Sequence, residues 1–167
     1  MASLIFMSSS PHPEHVNVYK AFPAAYQALL ALEQACAASP IDPALYELVK
    51  LRASQINGCA FCIDMHHKDA RAAGETEERL YMLPAWREAT VYSDAERAAL
   101  ALTEAVTLIA AGHVPADVEA EARSQFDAET YAALVFTIAT INTWNRIAIT
   151  THSPAGRYRP NLTASHA

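Results

Sequence analysis

With 167 residues, of which 52% are hydrophobic and only 18% charged, the chain can bury one ordinary core, so a second independent domain is not expected. The formal net charge is -6, and the absence of a basic cluster argues against nucleic acid or an anionic membrane as a partner. No apolar run approaches the length of a membrane span. Three cysteines, an odd number, fit a reducing compartment and one functional pair, and we expect a cytoplasmic protein.

The sequence divides into three parts. We expect a disordered leader over residues 1–12, in which Met7 offers an alternative start, and a single all-α domain over 13–153. Residues 154–167 are expected to form a loose C-terminal tail.

Helical periodicity begins at Pro23, a residue that is tolerated in the first turn of a helix, and continues to Ala38 with Cys36 on the core side. Asp42-Pro43 predicts the start of a second helix, which ends at Asn57-Gly58 because this pair is a turn and C-cap signal. A third helix then carries the cysteine pair and stops at Gly74.

The second half of the chain is also predicted to be helical. A short helix is expected to Leu83, capped by Thr76, and a longer one over 93–112, which opens with the capping box Ser-Asp-Ala-Glu. Another short helix follows over 115–126, and the last long helix is expected over 128–151. Its many β-branched residues would suit strands, but its length and its lack of internal Gly or Pro favour a helix.

The most informative stretch is Cys59-Ala60-Phe61-Cys62-Ile63-Asp64-Met65-His66. At about 100° per residue, the two cysteines and the histidine of a helix with this sequence lie within an arc of roughly 60°. Because the pair opens the helix, first-turn amides and the helix dipole favour the thiolate, the reactive form of cysteine. Dipole reasoning alone favours Cys59, which lies nearest the helix start.

A carboxylate is expected beside this motif. If the helices over 42–56 and 59–73 form an antiparallel hairpin about Gly58, the distances of Glu47 and His66 from the turn, measured along the helix axes, differ by only roughly 4–5 Å. Glu47 would then orient or deprotonate His66, which in turn would take the proton of a cysteine. The alternative is that Glu47 is a solvated surface residue paired with Lys50.

Two alternative interpretations of the same motif are a zinc site and a thioredoxin fold. A CxxC and a histidine fit part of a zinc site, with His67 or Glu47 as a further ligand, although no second CxxC or HxxxH is present. A thioredoxin fold would place the CxxC after a strand in a βαβ unit, whereas the flanking segments here are predicted to be helical. An all-helical thiol redox protein remains.

The spacing of Glu47, Cys59, Cys62 and His66 resembles the signature of the alkyl hydroperoxidase D (AhpD) branch of the carboxymuconolactone decarboxylase family. The similarity includes the residues on both sides of the motif and continues to Asn142-Thr143-Trp144-Asn145-Arg146, so it covers most of residues 20–150. The resemblance implies an AhpD-like helical domain that assembles into homotrimers or homohexamers. It also implies a peroxide-reducing activity with no metal or organic cofactor.

The resemblance further implies a role for each residue of the motif. Cys62 is the peroxidatic cysteine and becomes a sulfenic acid, and Cys59 resolves it to a disulfide. Glu47 and His66 relay the proton that leaves the thiol. An external dithiol, which is a lipoyl carrier, thioredoxin or a small thiol, reduces the disulfide. The resemblance thus favours Cys62 as the activated thiol, whereas the dipole argument favours Cys59.

One position departs from the family. Some members carry a histidine immediately before the second cysteine, whereas this chain has Phe61, which leaves a second proton route through this position in question. Two other functions are compatible with the sequence. One is decarboxylase-like chemistry on a lactone, although those decarboxylases do not need a cysteine pair. The other is a non-enzymatic thiol redox sensor or a zinc-stabilised assembly module.

Overall fold

The structure is a computed structural model that describes residues 16–160, and every regular element in this range is helical, which confirms the predicted all-α class. The elements in chain order are α1 (Val18–Ala21), α2 (Pro23–Ala37), α3 (Pro43–Asn57), α4 (Ala60–Ala72), α5 (Glu77–Met82), a 3₁₀ turn (Leu83–Ala85), α6 (Asp94–Thr107), α7 (Ile109–Gly112), α8 (Ala116–Gln125) and α9 (Ala128–Thr150). The predicted leader over 1–12 and the end of the predicted tail lie outside the described residues. Across 16–160, no helix has the length and apolar character that crossing a bilayer requires.

Side-chain caps explain where the main helices begin. Asp42 Oδ1 accepts hydrogen bonds from the first-turn amides of α3, and Asp127 caps α9 in the same way through the amide of Thr130. The predicted capping box of Ser93 and Glu96 is present at the start of α6. Gly58 ends α3 in the left-handed conformation, with φ of 69°, which a glycine adopts without strain.

Two elements differ from the predictions. The helix expected over 93–112 breaks at Leu108, so that α7 is only a single following turn. The hydroxyl of Thr107 accepts a hydrogen bond from Asn142 on α9, a tertiary contact at this break that no local pattern indicates. The helix α1 was not expected either, because its four residues are too few to produce a periodic pattern.

Helix α3 lies at the centre of the fold and packs against α4, α6 and α9. Its apolar residues face three different clusters of the core. Leu45 and Val49 pack toward α6, α8 and α9, whereas Leu48 and Leu51 pack toward α4, α5 and the 3₁₀ turn. Ala53 belongs to the third cluster, which contains both cysteines of the CxxC motif. The central helix therefore joins this motif to the rest of the core.

The first part of the predicted loose tail is attached to α4. The amide of Gly156 donates to Asp64 Oδ2 over 3.0 Å, and Lys68 Nζ donates to the carbonyl of Tyr158 over 3.1 Å. The hydroxyl of Tyr158 donates to Asp69 Oδ1 over 2.7 Å. Residues 153–160, which we call the C-terminal segment, therefore lie along α4 without forming a helix. Local sequence does not reveal these contacts, because each one joins residues about 90 positions apart.

Candidate active site

The α3–α4 hairpin brings Glu47 and His66 together. Glu47 Oε2 lies 2.8 Å from His66 Nδ1, as the level argument about Gly58 predicts. The His66 side chain is almost completely buried, and its second nitrogen, Nε2, has no hydrogen-bond partner among residues 16–160. Glu47 is not a solvated residue paired with Lys50, because its side chain is only 16% exposed and Lys50 pairs with Glu33 instead.

The two cysteines of the motif are in direct contact at the start of α4. Cys59 is the N-cap residue, and its Sγ accepts a hydrogen bond from the amide of Cys62 over 3.4 Å. The two sulfur atoms lie 2.9 Å apart and share a hydrogen bond, and both side chains are reduced and buried. Such a pair loses its protons as one coupled system rather than as two independent thiols.

The electrostatics of the pair favour a resting charge on Cys59. The hydrogen bond with the Cys62 thiol lowers the pKa of Cys59 to about 6, against the opposing effect of burial. The amides of Cys62 and Phe61 and the side chain of Asn145 stabilise the same thiolate. The hydrogen bond with Cys59, together with burial, raises the pKa of Cys62. The result agrees with the dipole argument for Cys59.

A cavity of about 830 Å³ opens beside the motif. Cys62, His66 and Glu47 line this cavity, whereas Cys59 does not. His66 follows Cys62 by four residues, so that both side chains lie on one face of α4. Phe61, at the position that departs from the family, is part of the wall. Most of the wall is aromatic or apolar, including Tyr19, Tyr26, Tyr46, Met65 and Trp144.

A partly buried ion pair lies on the α2 and α3 side of the cavity. Glu33 binds the ammonium group of Lys50, accepts a hydrogen bond from Tyr46 over 2.7 Å, and accepts another from the indole of Trp144 over 2.9 Å. Burial opposes the charge of Glu33, but Lys50 and these donors lower its pKa below the usual value. Neither Glu33 nor the pairing of Lys50 with it was predicted from the sequence. The only sequence signal for Lys50 is a charge at a core-facing helical position.

A network of amide side chains supports the cysteines from the side of α9. Asn145 is fully buried, and its Nδ2 donates to the hydroxyl of Ser54 over 3.1 Å. Asn57 donates to Asn145 Oδ1 over 2.8 Å and to Asn142 Oδ1 over 2.9 Å. No role for Asn142 or Asn145 in the site was predicted from the sequence. Two asparagines three residues apart within a largely apolar helix would have been the signal.

The zinc alternative depends on histidines that already have partners. His66 Nδ1 faces Glu47, and His67 Nδ1 lies 2.9 Å from the carbonyl of Ile63 on its own helix. A zinc ion bound by the two cysteines would therefore take His66 through Nε2 or displace Glu47.

Comparison with known proteins identifies the family. Residues 23–105 match the model of the carboxymuconolactone decarboxylase family. The uncharacterized protein YdfG of Bacillus subtilis is 46% identical over 136 residues, which are 81% of this chain and 92% of that protein. The chain belongs to the carboxymuconolactone decarboxylase family.

Within this family the fold is that of AhpD-like proteins, as predicted. A solved structure of a protein of unknown function from Agrobacterium tumefaciens, whose description proposes an antioxidant defence protein AhpD, shares 41% identity and a TM-score of 0.82 with the chain. The match covers 86% of this chain and 99% of that one. The alkyl hydroperoxide reductase AhpD of Bradyrhizobium diazoefficiens is 36% identical over 72 residues, which are 43% of this chain and 34% of that protein.

Proposed function

We propose that this protein is a thiol peroxidase that reduces organic hydroperoxides through a Cys59–Cys62 dithiol/disulfide cycle, with Glu47 and His66 as its proton relay. The observation that carries the proposal is that Cys62, in contact with Cys59, lines the same cavity as the Glu47–His66 pair. A thiol pair, a base and a largely apolar cavity are what reduction of an organic peroxide requires.

The reaction balances with these groups alone and an external reductant. The Cys62 thiolate attacks the terminal peroxide oxygen, the O–O bond breaks, and the departing alkoxide takes up a proton to leave as an alcohol. Cys62 is now a sulfenic acid. The Cys59 thiolate attacks its sulfur, the S–S bond forms, and the hydroxyl group leaves with a proton as water. An external dithiol then returns both cysteines to the thiol form.

The positions of the two cysteines determine which one is peroxidatic and which one is resolving. Cys62 reaches the cavity, although the resting charge favours Cys59. Transfer of the shared proton from Cys62 to Cys59 across 2.9 Å leaves the thiolate on the sulfur that faces the peroxide, at a free-energy cost set by the higher pKa of Cys62. Once Cys62 is oxidised, the helix N-terminus favours ionisation of Cys59, which then attacks as the resolving thiolate.

The Glu47–His66 contact gives the imidazole its role. A carboxylate at Nδ1 holds the proton on that nitrogen and leaves Nε2 as the basic nitrogen. Because Nε2 is buried and none of the described residues forms a hydrogen bond with it, it can accept the proton of the thiol pair and return it to the departing alkoxide.

Substitution of the relay tests this function. Glu47→Gln and His66→Gln should each lower kcat/KM for cumene hydroperoxide, with dithiothreitol as reductant, by about 10²-fold or more. The matched control is His67→Gln, which alters the neighbouring imidazole that faces the carbonyl of Ile63 and should change kcat/KM less than about twofold. Full activity of a correctly folded His66→Gln protein would contradict the relay.

We also propose that the protein forms a homotrimer or homohexamer. Large apolar side chains such as Phe22 and Phe136 are 65% and 58% exposed, and association would cover such faces. Light scattering after size exclusion should give three or six times the chain mass of 18.1 kDa. A monomer at all concentrations would contradict this proposal.

The reductant is proposed to be an external dithiol: a lipoyl carrier, thioredoxin or a small thiol. Turnover supported by a reduced lipoyl carrier, by thioredoxin and by dithiothreitol at equal concentrations would rank the three. Failure of all three to reduce the oxidised protein would contradict an externally regenerated cycle.

A further inference from the structure

A second carboxylate lies beside the His66 imidazole. Asp69 follows His66 by three residues on α4, so that both side chains lie on one face of the helix. One polar atom from each of Glu47, His66 and Asp69 lies within 4.8 Å of the other two. All three residues line the cavity beside Cys62. The imidazole therefore has one carboxylate in hydrogen-bond contact and a second one close by.

The C-terminal segment holds this second carboxylate in place. The Tyr158 hydroxyl donates a hydrogen bond to Asp69 Oδ1 over 2.7 Å, and the Tyr158 carbonyl accepts a hydrogen bond from Lys68 Nζ. Tyr158 also lines the cavity together with Ser153, Pro154 and Arg157 of the same segment. One hydrogen bond thus joins the cavity wall to a carboxylate beside the imidazole.

We propose that Asp69 is a positioning residue for His66, and that Tyr158 holds the Asp69 carboxylate beside the imidazole in its charged form. The proposal rests on the peroxidase function and extends it. A negative charge within about 5 Å stabilises the imidazolium that forms when His66 accepts the proton of the thiol pair. The hydroxyl of Tyr158 stabilises the carboxylate more than the neutral acid, since an ionised acceptor forms the stronger hydrogen bond.

The groups around Asp69 act in opposite directions. Burial and the charge of Glu47 on α3 raise the pKa of Asp69, whereas the Tyr158 hydroxyl, His66 and Lys50 of α3 counteract this rise. The net pKa lies above its usual value. Without the Tyr158 hydroxyl the pKa of Asp69 rises further, so the carboxylate loses its charge at a higher pH. If activity needs the charged carboxylate, a protein without the Tyr158 hydroxyl therefore loses activity at acidic pH while it keeps activity at alkaline pH.

The test is Tyr158→Phe, which keeps the ring in the cavity wall and removes only the hydroxyl. Two quantities are measured from about pH 5 to pH 9: kcat/KM for cumene hydroperoxide, and the rate at which iodoacetamide modifies Cys62, with the site assigned by mass spectrometry. We expect a loss of about tenfold near pH 5.5 and of less than about twofold near pH 8.5. Asp69→Asn should lose about tenfold across the whole range.

The matched control is Tyr81→Phe. Tyr81 donates to Glu77 over 2.9 Å at an exposed position on α5, so its substitution removes a similar hydrogen bond outside the cavity and should leave both profiles unchanged. A wild-type pH profile in Tyr158→Phe, or wild-type rates in Asp69→Asn, would overturn the proposal. So would a loss in Tyr158→Phe that is equal at all pH values, since that result indicates only a structural role.

The two proposals fail in different ways. If the wild-type protein consumes no peroxide, the peroxidase function is wrong, yet the iodoacetamide profile of Cys62 still reports proton transfer from the thiol pair. In that case an acidic-side loss in Tyr158→Phe supports the role of Asp69, and an unchanged profile overturns it.

Discussion

Replacement of Cys62 should move the ionisation of Cys59 toward that of an ordinary thiol. The hydrogen bond between the two sulfurs makes the largest contribution to the lowered pKa of Cys59. Cys62→Ala removes this donor, whereas Cys62→Ser retains a hydroxyl at the same position. The two variants therefore separate loss of the hydrogen bond from loss of the sulfur.

The expected difference is large. With a pKa of about 6, Cys59 is about 90% ionised at pH 7, whereas a thiol with the reference pKa of 9.0 is about 1% ionised. In Cys62→Ala the helix-start amides still favour the thiolate, but burial opposes it, so most of this roughly 90-fold advantage should be lost. Cys62→Ser should keep an intermediate share.

Ultraviolet absorbance of the thiolate, followed from about pH 4 to pH 10, measures this ionisation directly and does not depend on reagent access to a buried sulfur. The wild-type protein should show a first step of one thiolate near pH 6, and Cys62→Ala should show it closer to pH 9. The control Cys36→Ala changes the third cysteine, which contacts Thr140, and should retain the first step. A wild-type protein without a step below about pH 8, or an identical step in Cys62→Ala, would refute the reasoning.

Three further variants test the fold around the motif by chemical denaturation. Leu134→Ala empties a fully buried core position and should lower the free energy of unfolding by about 2–5 kcal/mol; a loss below about 1 kcal/mol would contradict this packing. Gly58→Ala forces a side chain into φ of 69°, which should cost about 1–2 kcal/mol although the space beside it is open; no loss would contradict the assigned turn. Asn145→Ala removes one hydrogen bond from Ser54 and one of the two from Asn57 and should cost about 1–3 kcal/mol, whereas a neutral result would contradict the buried network.

The long helix α9 shows what the sequence predicts well. Its β-branched residues favour strands locally, yet Leu134, Ile138 and Ile141 recur at helical spacing and are fully buried. Burial of this stripe against the core outweighs the small local preference. The break at Leu108 could not be predicted, because the local sequence pattern there continues the helix.

The candidate site was predictable only in part. Glu47 and His66 belong to adjacent helices joined by one turn, so counting residues from Gly58 is enough to place them at one level. Asn145 and Tyr158 reach the site from about 90 residues away along the chain. Nothing in local periodicity indicates such contacts, which depend on how α9 and the C-terminal segment pack against the hairpin.

The most direct test of the central claim is mass spectrometry of the reduced protein with thiol trapping, before and after a small excess of cumene hydroperoxide. The wild-type protein should form a Cys59–Cys62 disulfide, and Cys59→Ser should accumulate a sulfenic acid on Cys62. A sulfenic acid on Cys59 in Cys62→Ser, with Cys62 unreacted in Cys59→Ser, would reverse the assigned roles. If both thiols of the wild-type protein remain reduced after peroxide is added, the peroxidase cycle is contradicted.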